Sequence, residues 1–486
     1  MVNKNKVQGI NYLKFNRTKI VATIGPATSK YNVLKKIINA GVDVCRINFS
    51  HGEHLSHLQV INNIKKINDD LETNVCILCD LQGPKLRVGE IEGGSVYLKK
   101  GENIVLTTQK TLGNNSIIQV SYDKLTKDVK IGEKVLLDDG KIELKILEIV
   151  DDYSLKAIIL NSGTLLSRKG FNLPDSKLSL KGLTDKDESD LKFALENDID
   201  WIAMSFVRNA NDIADLRKLV NKTNPRTQII AKIEKPEAVK NFDSILANAD
   251  GIMVARGDLG VEMAMQKVPL IQKQIVEKCL IASKPVIIAT QMMESMIENP
   301  TPTRAEVNDI ANAVLDGADA VMLSAETSIG KFPLKTVQTV EKIINEIESN
   351  SNPYYKGSKP QKTSPTFISD EICFTAVRMS EHLNARGIVG MTHSGYTAKK
   401  ISSFRPNCDI FILTSNRPVL KTLNLVWGVR GFYYDHEEST DKTISDALNF
   451  LKTKKYVKNG DIVISCSSMP LSLKQRTNTI KVSQVE

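Results

Sequence analysis

The chain has 486 residues, of which 41% are hydrophobic and 25% are charged, and this length predicts two or three domains with sizeable cores. The net charge of +9 is small for the length and no arginine-rich arm is present, so the composition does not favour a nucleic-acid-binding protein. No apolar run approaches membrane-spanning length, and the first 16 residues are polar and lack the pattern of a secretory signal. We therefore expect a cytoplasmic protein without a membrane anchor.

The seven cysteines lie mostly in strand-like segments, where a buried, reduced thiol is the expected state. Cys76 and Cys79 have the spacing of a redox pair, but on a strand their side chains would point to opposite faces. We interpret both as core residues. His51, His54 and His57 are also three apart, at a helix start, but without a third ligand in view we do not expect a metal site there.

Apolar, strand-like segments alternate with helix-like segments from residue 18 to residue 80, and again from about residue 184 to residue 324. Eight such strands separated by helices predict an α/β protein with a (β/α)8 (TIM) barrel. The strands are expected at 19–24, 42–48, 74–80, 200–205, 229–233, 249–255, 284–290 and 318–324.

The stretch between the third and fourth of these strands has a different pattern. Short alternating segments and a hairpin signal at 139–140 predict a small β-barrel domain, inserted on the carboxyl side of the barrel, where it could act as a lid. After a linker, strands at 387–391, 409–414, 429–434 and 461–465 predict an open α/β domain. The predicted domains are an N-terminal extension (1–17), the barrel (18–87 and 170–350), the inserted domain (88–169) and the C-terminal α/β domain (351–486).

The strand predicted at 229–233 contains a charge that a core strand does not need. Its three isoleucines predict burial, where an unpaired Lys232 would be costly. Glu234 follows two residues later, so the two side chains share one face of the strand. Taken alone, the pair is better explained by a simple ion pair at a strand end.

Other strand ends repeat this arrangement, and in a (β/α)8 barrel the carboxyl ends of all strands meet at one mouth. The mouth would collect cations for phosphoryl oxygens, carboxylates for a hard metal ion and hydroxyls for proton transfer. Phosphoryl transfer needs such a set, whereas polar capping of strand ends explains only one or two of the positions. The residues are Arg46, Asn48, Ser50, His51, Asp80, Lys232, Glu234, Arg256, Asp258, Thr290, Ser324 and Glu326.

Several long motifs at these positions are similar to those of the pyruvate kinase family. They lie at 46–52, 80–87, 231–234, 251–260, 289–296 and 302–306. The resemblance extends from residue 18 to the end of the chain and implies a barrel with an inserted β domain and a C-terminal α/β domain, usually assembled as a homotetramer. It implies transfer of the phosphoryl group of phosphoenolpyruvate to ADP, which gives ATP and pyruvate in the last step of glycolysis.

The resemblance also implies roles for residues at matching positions. Glu234 and Asp258 would hold Mg²⁺, for which Mn²⁺ can substitute. Lys232 would stabilise the charge on the transferring phosphoryl group and on the enolate, and Arg46 would hold phosphoryl oxygens.

The resemblance assigns further residues to the substrate carboxylate, to the nucleotide and to the path of a proton. Backbone donors near Gly257, together with Thr290, would orient the carboxylate. Thr290, Ser324 and Glu326 would lie on the path of the proton to the enolate carbon, and the proton donor itself stays unassigned. The positions that match nucleotide-binding residues of the family are Asn48, Phe49, Ser50, His51, Arg87 and Lys169.

Lys85 departs from the pattern of many members of this family. In those enzymes a glutamate stands at this position, and a K⁺ ion is held by residues that match Asn48, Ser50, Asp80 and the backbone of Leu81. The lysine ammonium could take the place of the ion, because two cations about 4 Å apart would repel by about 4 kcal/mol at an intermediate dielectric. We expect activity without K⁺; the alternative is that Lys85 points to solvent and the K⁺ site is retained.

The segment 392–397 joins a predicted strand to a helix start, which is a favourable place for a phosphate. A similar loop holds phosphorylated effectors in the family, so we expect a phosphate site at Thr392, Ser394 and Thr397. An ordinary hydroxyl-capped connection explains the pattern equally well. The second loop that usually contributes is glycine-rich in the family but not at 467–477 here, and the sequence does not identify an effector.

Two other classes of protein are compatible with the fold. A scaffold or nucleic-acid-binding protein would gain nothing from charges clustered in the mouth. A barrel lyase or aldolase that stabilises an enolate with Mg²⁺ would need no nucleotide, whereas the inserted domain and Arg87 favour nucleotide use. An assay with and without ADP separates these alternatives.

Overall fold

The computed structural model describes residues 15–351, 354, 358–435, 440–469 and 475–486, so most of the predicted N-terminal extension and part of the loop 467–477 lie outside the described residues. The strands are β1 Lys19–Thr23, β2 Val44–Asn48, β3 Cys76–Asp80, β4 Ser95–Leu98, β5 Asn103–Thr107, β6 Ile117–Gln119, β7 Lys134–Leu137, β8 Ile142–Ile149, β9 Ser154–Ile159, β10 Gly163–Leu166, β11 Phe171–Asn172, β12 Trp201–Met204, β13 Gln228–Ile233, β14 Gly251–Ala255, β15 Val286–Ala289, β16 Ala320–Leu323, β17 Gly387–Met391, β18 Asp409–Thr414, β19 Val429–Tyr433, β20 Ile462–Ser467 and β21 Thr479–Gln484. The α-helices are α1 Tyr31–Asn39, α2 His54–Leu71, α3 Leu125–Asp128, α4 Asp185–Glu196, α5 Ala210–Thr223, α6 Pro236–Lys240, α7 Phe242–Asn248, α8 Arg256–Glu262, α9 Val268–Ala282, α10 Arg304–Asp316, α11 Ala325–Ser328, α12 Pro333–Asn350, α13 Phe367–His382, α14 Tyr396–Ser403, α15 Arg417–Leu423 and α16 Thr440–Thr453.

Eight parallel strands close into a barrel in the order β1-β16-β15-β14-β13-β12-β3-β2, which confirms the predicted (β/α)8 barrel. These strands are almost wholly buried, because the barrel interior covers one face and the surrounding helices cover the other. None of the described helices is both long enough and apolar enough to span a membrane.

Alternation along the strands decides which side chains enter the barrel. The interior apolar cluster includes Val44, Leu78, Trp201 and Ile230. The interior face of each strand continues two residues later, because side chains alternate with a period of two. At the mouth this face therefore presents Arg46, Asp80 and Lys232, which are buried.

The inserted domain, β4 to β11, is β-rich as predicted. One sheet has six strands in the order β11-β7-β8-β9-β5-β6, and β10 pairs with β4 in a second sheet. The described strands thus form two sheets, whereas the sequence predicted one small β-barrel. Phe171–Asn172 pairs with Lys134–Leu137, so the larger sheet continues beyond the predicted end of the insert at residue 169.

The C-terminal domain is an open α/β sheet in the order β19-β18-β17-β20-β21, as predicted for its four parallel strands. The fifth strand, β21, runs antiparallel to β20 and was not predicted. Its side chains are largely partly buried or exposed, so the sequence lacks the apolar run that marked the other four. All seven cysteines are free and buried, as predicted.

A buried arginine docks the C-terminal domain on the barrel, at the end opposite the mouth. Arg405 is 1% exposed, and its Nη2 lies 3.0 Å from Asp319 Oδ2 and donates a 2.8 Å hydrogen bond to the carbonyl of Gly317. Its guanidinium lies 4.8 Å from the centre of the Trp427 ring, and the backbone N–H of Trp427 donates to Asp319 Oδ1 over 3.0 Å. Asp319 precedes β16, so this pair joins the two domains directly.

We predict that Arg405→Met lowers the thermal midpoint, because it leaves the Asp319 carboxylate buried without its cation. Breaking a buried ion pair from one side costs about 3–5 kcal/mol. The matched control is Arg378→Met, since Arg378 forms a helical surface pair with Glu381 that should contribute less than about 1 kcal/mol. A double variant, Arg405→Met with Asp319→Asn, should recover part of the loss. Equal midpoints for Arg405→Met and the control would contradict the docking role.

Candidate active site

Lys232 lies at the centre of a buried charge network at the barrel mouth. Its Nζ is 3.1 Å from Asp80 Oδ1 and 2.9 Å from Glu234 Oε1, and it donates a 2.6 Å hydrogen bond to Ser205 Oγ. The side chains of both acids are 1% exposed. The lysine on an otherwise apolar strand is therefore balanced by two carboxylates, as its burial requires.

Asp80 connects Lys232 to a second cation. Arg46 Nε donates to Asp80 Oδ2 over 2.8 Å, and Arg46 Nη1 donates to Thr23 Oγ1 over 2.8 Å. Asp80 thus accepts from a different cation with each of its oxygens. Two positive groups are held a few ångströms apart, facing the same mouth.

The network sets the protonation of its members. Burial raises the pKa of Asp80, but Lys232 and Arg46 outweigh burial and bring that pKa below its ordinary value. Burial lowers the pKa of Lys232, but Asp80 and Glu234 outweigh burial and raise that pKa above its ordinary value. Lys232 therefore stays an ammonium and Asp80 a carboxylate over the physiological range.

The pKa of Glu234 is set by opposing effects of burial and of neighbouring charges. Burial raises its pKa, Lys232 lowers it and the nearby Asp258 raises it again, with the pKa above the ordinary value as the result. Its Oε2 accepts a 2.6 Å hydrogen bond from the Phe206 N–H. Phe206 has φ +55°, an unusual conformation for a bulky residue, so local backbone strain accompanies the placement of this carboxylate.

The loop that carries Lys85 packs against the end of β12. Gly83 has φ +69°, and a Cβ there would lie 2.9 Å from both Phe206 Cδ2 and Ser205 Cβ, so a larger residue would not fit. The Gly83 N–H donates a 3.0 Å hydrogen bond to Asp187 Oδ1. These contacts place the Lys85 ammonium 3.4 Å from Asp258 Oδ1, with both side chains about 30% exposed.

Thr290 forms the opposite wall of the mouth. Its Oγ1 accepts a 2.8 Å hydrogen bond from the Gly257 N–H, and its carbonyl accepts a 2.6 Å hydrogen bond from Arg256 Nη2. Thr290 has φ +71° and Gln291 has φ +56°, conformations that β-branched and long side chains rarely adopt. The hydroxyl is thereby held beside the first turn of α8, which also carries Asp258.

Comparison with known proteins identifies the family of this arrangement. The profile of the pyruvate kinase barrel domain matches residues 15–337, and the profile of the pyruvate kinase alpha/beta domain matches residues 370–483. The chain belongs to the pyruvate kinase family.

Relatives support this assignment over nearly the whole chain. Pyruvate kinase 2 of Synechocystis sp. is 43% identical over 475 residues, which are 97% of this chain and 79% of the relative. The pyruvate kinase of Geobacillus stearothermophilus is 42% identical over 469 residues, which are 96% of this chain and 80% of the relative. A crystal structure of a pyruvate kinase from Cryptosporidium parvum superposes with a TM-score of 0.90 at 37% identity, covering 97% of this chain and 96% of that one. As a pyruvate kinase, the chain is a phosphotransferase.

The positions that match nucleotide-binding residues of pyruvate kinases fall into two groups. Asn48 Oδ1 accepts from the Ser50 N–H over 3.1 Å, and the Phe49 N–H donates to the carbonyl of Asp80 over 3.0 Å, so this loop adjoins the charge network. The Phe49 ring is 1% exposed and packs 4.9 Å from the His57 ring, so only the backbone of Phe49 could meet a ligand. His51 is exposed.

The second group lies where the inserted domain leaves the barrel. Arg87 Nη1 donates to the carbonyl of Arg168 over 3.0 Å, and Lys169 Nζ lies 3.1 Å from Asp138 Oδ1. Within the ranges that the structure describes, no hydrogen bond or ion pair joins this group to the loop 48–51. The first group thus belongs to the barrel mouth and the second to the base of the insert.

Ser324 and Glu326 follow β16 on the side of Thr290. Glu326 Oε2 accepts from the Ser324 N–H over 2.6 Å, and Oε1 accepts from the Met293 N–H over 3.2 Å. Burial raises the pKa of Glu326 above its ordinary value. This carboxyl, which lies near residues 290–293, is therefore easier to protonate than an ordinary glutamate.

Four further residues hold this site together and were not predicted from the sequence. Thr23 and Ser205 continue the interior faces of β1 and β12, so strand alternation could have found both. Lys186 and Asp187, in the first turn of α4, hold two site loops: Lys186 Nζ donates to the carbonyl of Phe49 over 2.7 Å. No sequence signal pointed to these long-range contacts.

The loop 392–397 is held by its own hydrogen bonds. Thr392 Oγ1 accepts from the Gly395 N–H over 3.0 Å, and Ser394 Oγ accepts from the Tyr396 N–H over 3.4 Å. Thr397 is 4% exposed, and its hydroxyl lies 2.7 Å from the Thr477 hydroxyl. Thr392 and Ser394 are thus more accessible than Thr397.

Proposed function

We propose that the barrel mouth transfers the phosphoryl group of phosphoenolpyruvate to ADP, giving ATP and pyruvate, in the last step of glycolysis. The phosphorus–oxygen bond to the enol oxygen breaks, a bond to a terminal oxygen of ADP forms, and the enolate receives a proton on its methylene carbon. The observation that carries the proposal is the pair of buried cations, Lys232 and Arg46, held by Asp80 beside Glu234. Such a transfer needs positioning and charge stabilisation more than covalent help from the protein.

Lys232 and Arg46 stabilise different negative charges in this proposal. Lys232, fixed by Asp80, Glu234 and Ser205, stabilises the negative charge that develops between the moving phosphoryl group and the enolate oxygen. Arg46 binds the phosphoryl oxygens with guanidinium donors that Asp80 and Thr23 leave free. Because these side chains are already fixed, little reorganisation accompanies the reaction.

Glu234 and Asp258 would hold Mg²⁺, or Mn²⁺ in its place, which would offset charge on the substrate carboxylate, the enolate oxygen and the phosphoryl oxygens. Two observations fit this donor set. Carboxylate oxygens are the ligands that hard divalent ions prefer. Asp258 raises the pKa of Glu234, which reflects a repulsion that a divalent cation would relieve. Among the described residues no cluster of three or more potential side-chain ligands is present, so water and substrate would complete the shell.

Thr290 and the backbone at Gly257 orient the substrate carboxylate in this proposal. The hydrogen bond between them, 2.8 Å long, places an N–H donor and a hydroxyl side by side next to Asp258. Ser324 and Glu326, with Thr290, would provide the path of the proton to the enolate carbon. ADP would lie between loop 48–51 and the second group, Arg87 and Lys169, so that closure of the inserted domain would exclude water.

We also infer that the enzyme does not require K⁺. Lys85 brings a basic side chain to the position at which many pyruvate kinases carry a glutamate. Its ammonium lies 3.4 Å from Asp258, on the side of the mouth where the metal and the phosphoryl group would bind. The residues matching the monovalent-cation pocket are Asn48, Ser50, Asp80 and Leu81, and the Asp80 carboxylate is already paired with Arg46 and Lys232.

The remaining proposals concern the oligomeric state, the cellular location and the effector site of the enzyme. We expect a homotetramer in the cytoplasm, binding neither nucleic acid nor membrane. A phosphorylated effector would bind at Thr392, Ser394 and Thr397, with Thr392 and Ser394 as the accessible hydroxyls.

The central prediction is that Lys232→Met lowers turnover at least about a hundredfold, because it removes a charge partner of the transition state. The measurement is a coupled assay of pyruvate formation, run with and without ADP. Lys278→Met, which changes an exposed lysine on α9, should keep the parent rate. Turnover of Lys232→Met within a few-fold of the parent rejects the role of Lys232, and pyruvate formation without ADP rejects the reaction itself.

A second prediction concerns the metal. Glu234→Gln keeps an oxygen that can accept from the Phe206 N–H but loses the negative charge, so the Mg²⁺ concentration for half-maximal activity should rise about tenfold or more. Glu196→Gln, on the exposed end of α4, should leave the Mg²⁺ titration unchanged. If both variants titrate like the parent, Glu234 is not a metal ligand.

A third prediction concerns the monovalent cation. In buffer free of Na⁺, K⁺ and NH₄⁺, with tetramethylammonium as the only monovalent cation, the parent enzyme should keep near-full activity with Mg²⁺. Lys85→Glu should lose activity in this buffer and regain it with KCl, because the negative charge recreates a place for K⁺. Strong activation of the parent by KCl, but not by a tetramethylammonium salt at equal ionic strength, would show that Lys85 does not replace the ion.

A further inference from the structure

A large cavity lies between the barrel and the C-terminal domain, at the end opposite the mouth. Its volume is about 450 Å³, within the range of about 300–1,000 Å³ that small-molecule sites occupy. Three segments line it: the end of α9 with the residues up to Lys284, the linker 358–366, and one face of α14 up to Phe404. Lys284 and Asp250 lie just before barrel strands, which places the cavity at the amino end of the barrel.

Lys399, on α14, brings a cation to this cavity without a matching carboxylate. Its Nζ lies 6.0 Å from the centre of the Trp201 ring, and within the described ranges it has no carboxylate partner at 4.0 Å or less. The nearby Asp250 uses Oδ2 to pair with Arg217 and to accept from the Ile229 N–H over 2.8 Å, and its negative charge offsets that of Lys399 only in part. Burial lowers the pKa of Lys399, which means that its charge lacks full compensation.

The other charged groups of the cavity differ from Lys399. Lys284 donates to the carbonyls of residues 246, 247 and 249, so its hydrogen-bonding capacity is used. Lys400 lies 3.5 Å from Asp370, which also accepts from the hydroxyls of Thr366 and Tyr396. Lys359, on the linker, is exposed and has no ion-pair partner among the residues that the structure describes. Among the described residues of the lining, Lys399 and Lys359 are therefore the cations available to a ligand.

The lining also has an apolar side. Leu280 and Phe404 are buried, and Ile281 is about half exposed at the rim. Gln361 and Ser358 add polar groups on the linker side. A ligand that fits both sides has a strongly anionic end and an organic part that can pack against α9 and α14.

We propose that this cavity binds a small phosphorylated metabolite, with the phosphate between Lys399 and Lys359 and the organic part against Leu280 and Phe404. A phosphate monoester is favoured over carboxylates because its charge near −2 and its three acceptor oxygens lie on one group that two cations can contact together, whereas the charge of a dicarboxylate is divided between its two ends. The site is distinct from the loop 392–397, of which only Tyr396 reaches the cavity lining. It does not depend on the reaction proposed for the mouth.

A ligand bound in this cavity would link the barrel to the C-terminal domain. The ligand would contact α9 of the barrel and α14 of the C-terminal domain at once, near the hydrogen bond of 3.0 Å that joins Ser283 Oγ to Ser403 Oγ. Since binding to the folded state alone stabilises that state, a bound ligand raises the thermal midpoint of the full chain.

The test is calorimetric titration of the full chain with four probes: inorganic phosphate, glucose 6-phosphate, adenosine 5′-monophosphate and succinate. At least one phosphorylated probe should bind saturably and raise the thermal midpoint, and succinate should bind at least tenfold more weakly. Lys399→Gln should weaken the phosphorylated probe at least about tenfold, as loss of a charge-assisted contact does. Lys359→Gln, at an exposed position where folding is not at risk, should weaken it several-fold.

Two control variants distinguish binding in this cavity from binding elsewhere on the chain. Lys335→Gln changes a lysine on α12 that does not line the cavity and should bind like the parent. Ser394→Ala changes the loop 392–397, where a separate effector site is proposed, and should leave the binding component that is sensitive to Lys399→Gln unchanged. The proposal is overturned if no phosphorylated probe binds, if succinate binds as tightly, or if binding is lost in Ser394→Ala but kept in Lys399→Gln and Lys359→Gln. None of these readouts is activity, so a failure here leaves the proposed reaction untouched, and the reverse also holds.

Discussion

The charged side chains around Lys232 at the barrel mouth are buried, so each charge must be balanced by an opposite charge nearby. Lys232 remains charged because Asp80 and Glu234 lie beside it, and Asp80 also pairs with Arg46. Buried ion pairs of this kind rarely stabilise a fold relative to well-packed apolar residues, because desolvation offsets most of the attraction. The apolar layers of the barrel must therefore supply the stability, and the network is retained for its chemistry.

The sequence was sufficient for those parts of the structure that follow from local periodicity. Eight apolar strands separated by helices specified the barrel, and a period of two placed Lys232 and Glu234 on one face. The fifth C-terminal strand, β21, escaped prediction because an exposed edge strand needs no apolar run. The division of the insert strands into two sheets was also not predicted, because short alternating strands do not indicate which strands pair.

Long-range partners were harder to predict for a related reason. Lys85 and Asp258 are 173 residues apart, so their ion pair depends on how the insert meets the barrel, which no local pattern encodes. The positive φ angles of Phe206 and Thr290 could not be predicted either, since glycine is the usual sequence signal for such a conformation. The roles of the mouth residues came from motif resemblance, and geometry then showed which of them touch.

The strained backbone at the mouth has a consequence for the evolution of this chain. Phe206, Thr290 and Gln291 occupy conformations that cost about 1–3 kcal/mol each, and glycine would relax them at once. A search for heat-tolerant variants would therefore find easy gains at these positions. A gain at Thr290 would remove the hydroxyl beside Gly257, and a gain at Phe206 would loosen the backbone whose N–H holds the Glu234 carboxylate, so thermal robustness and turnover compete at these two residues.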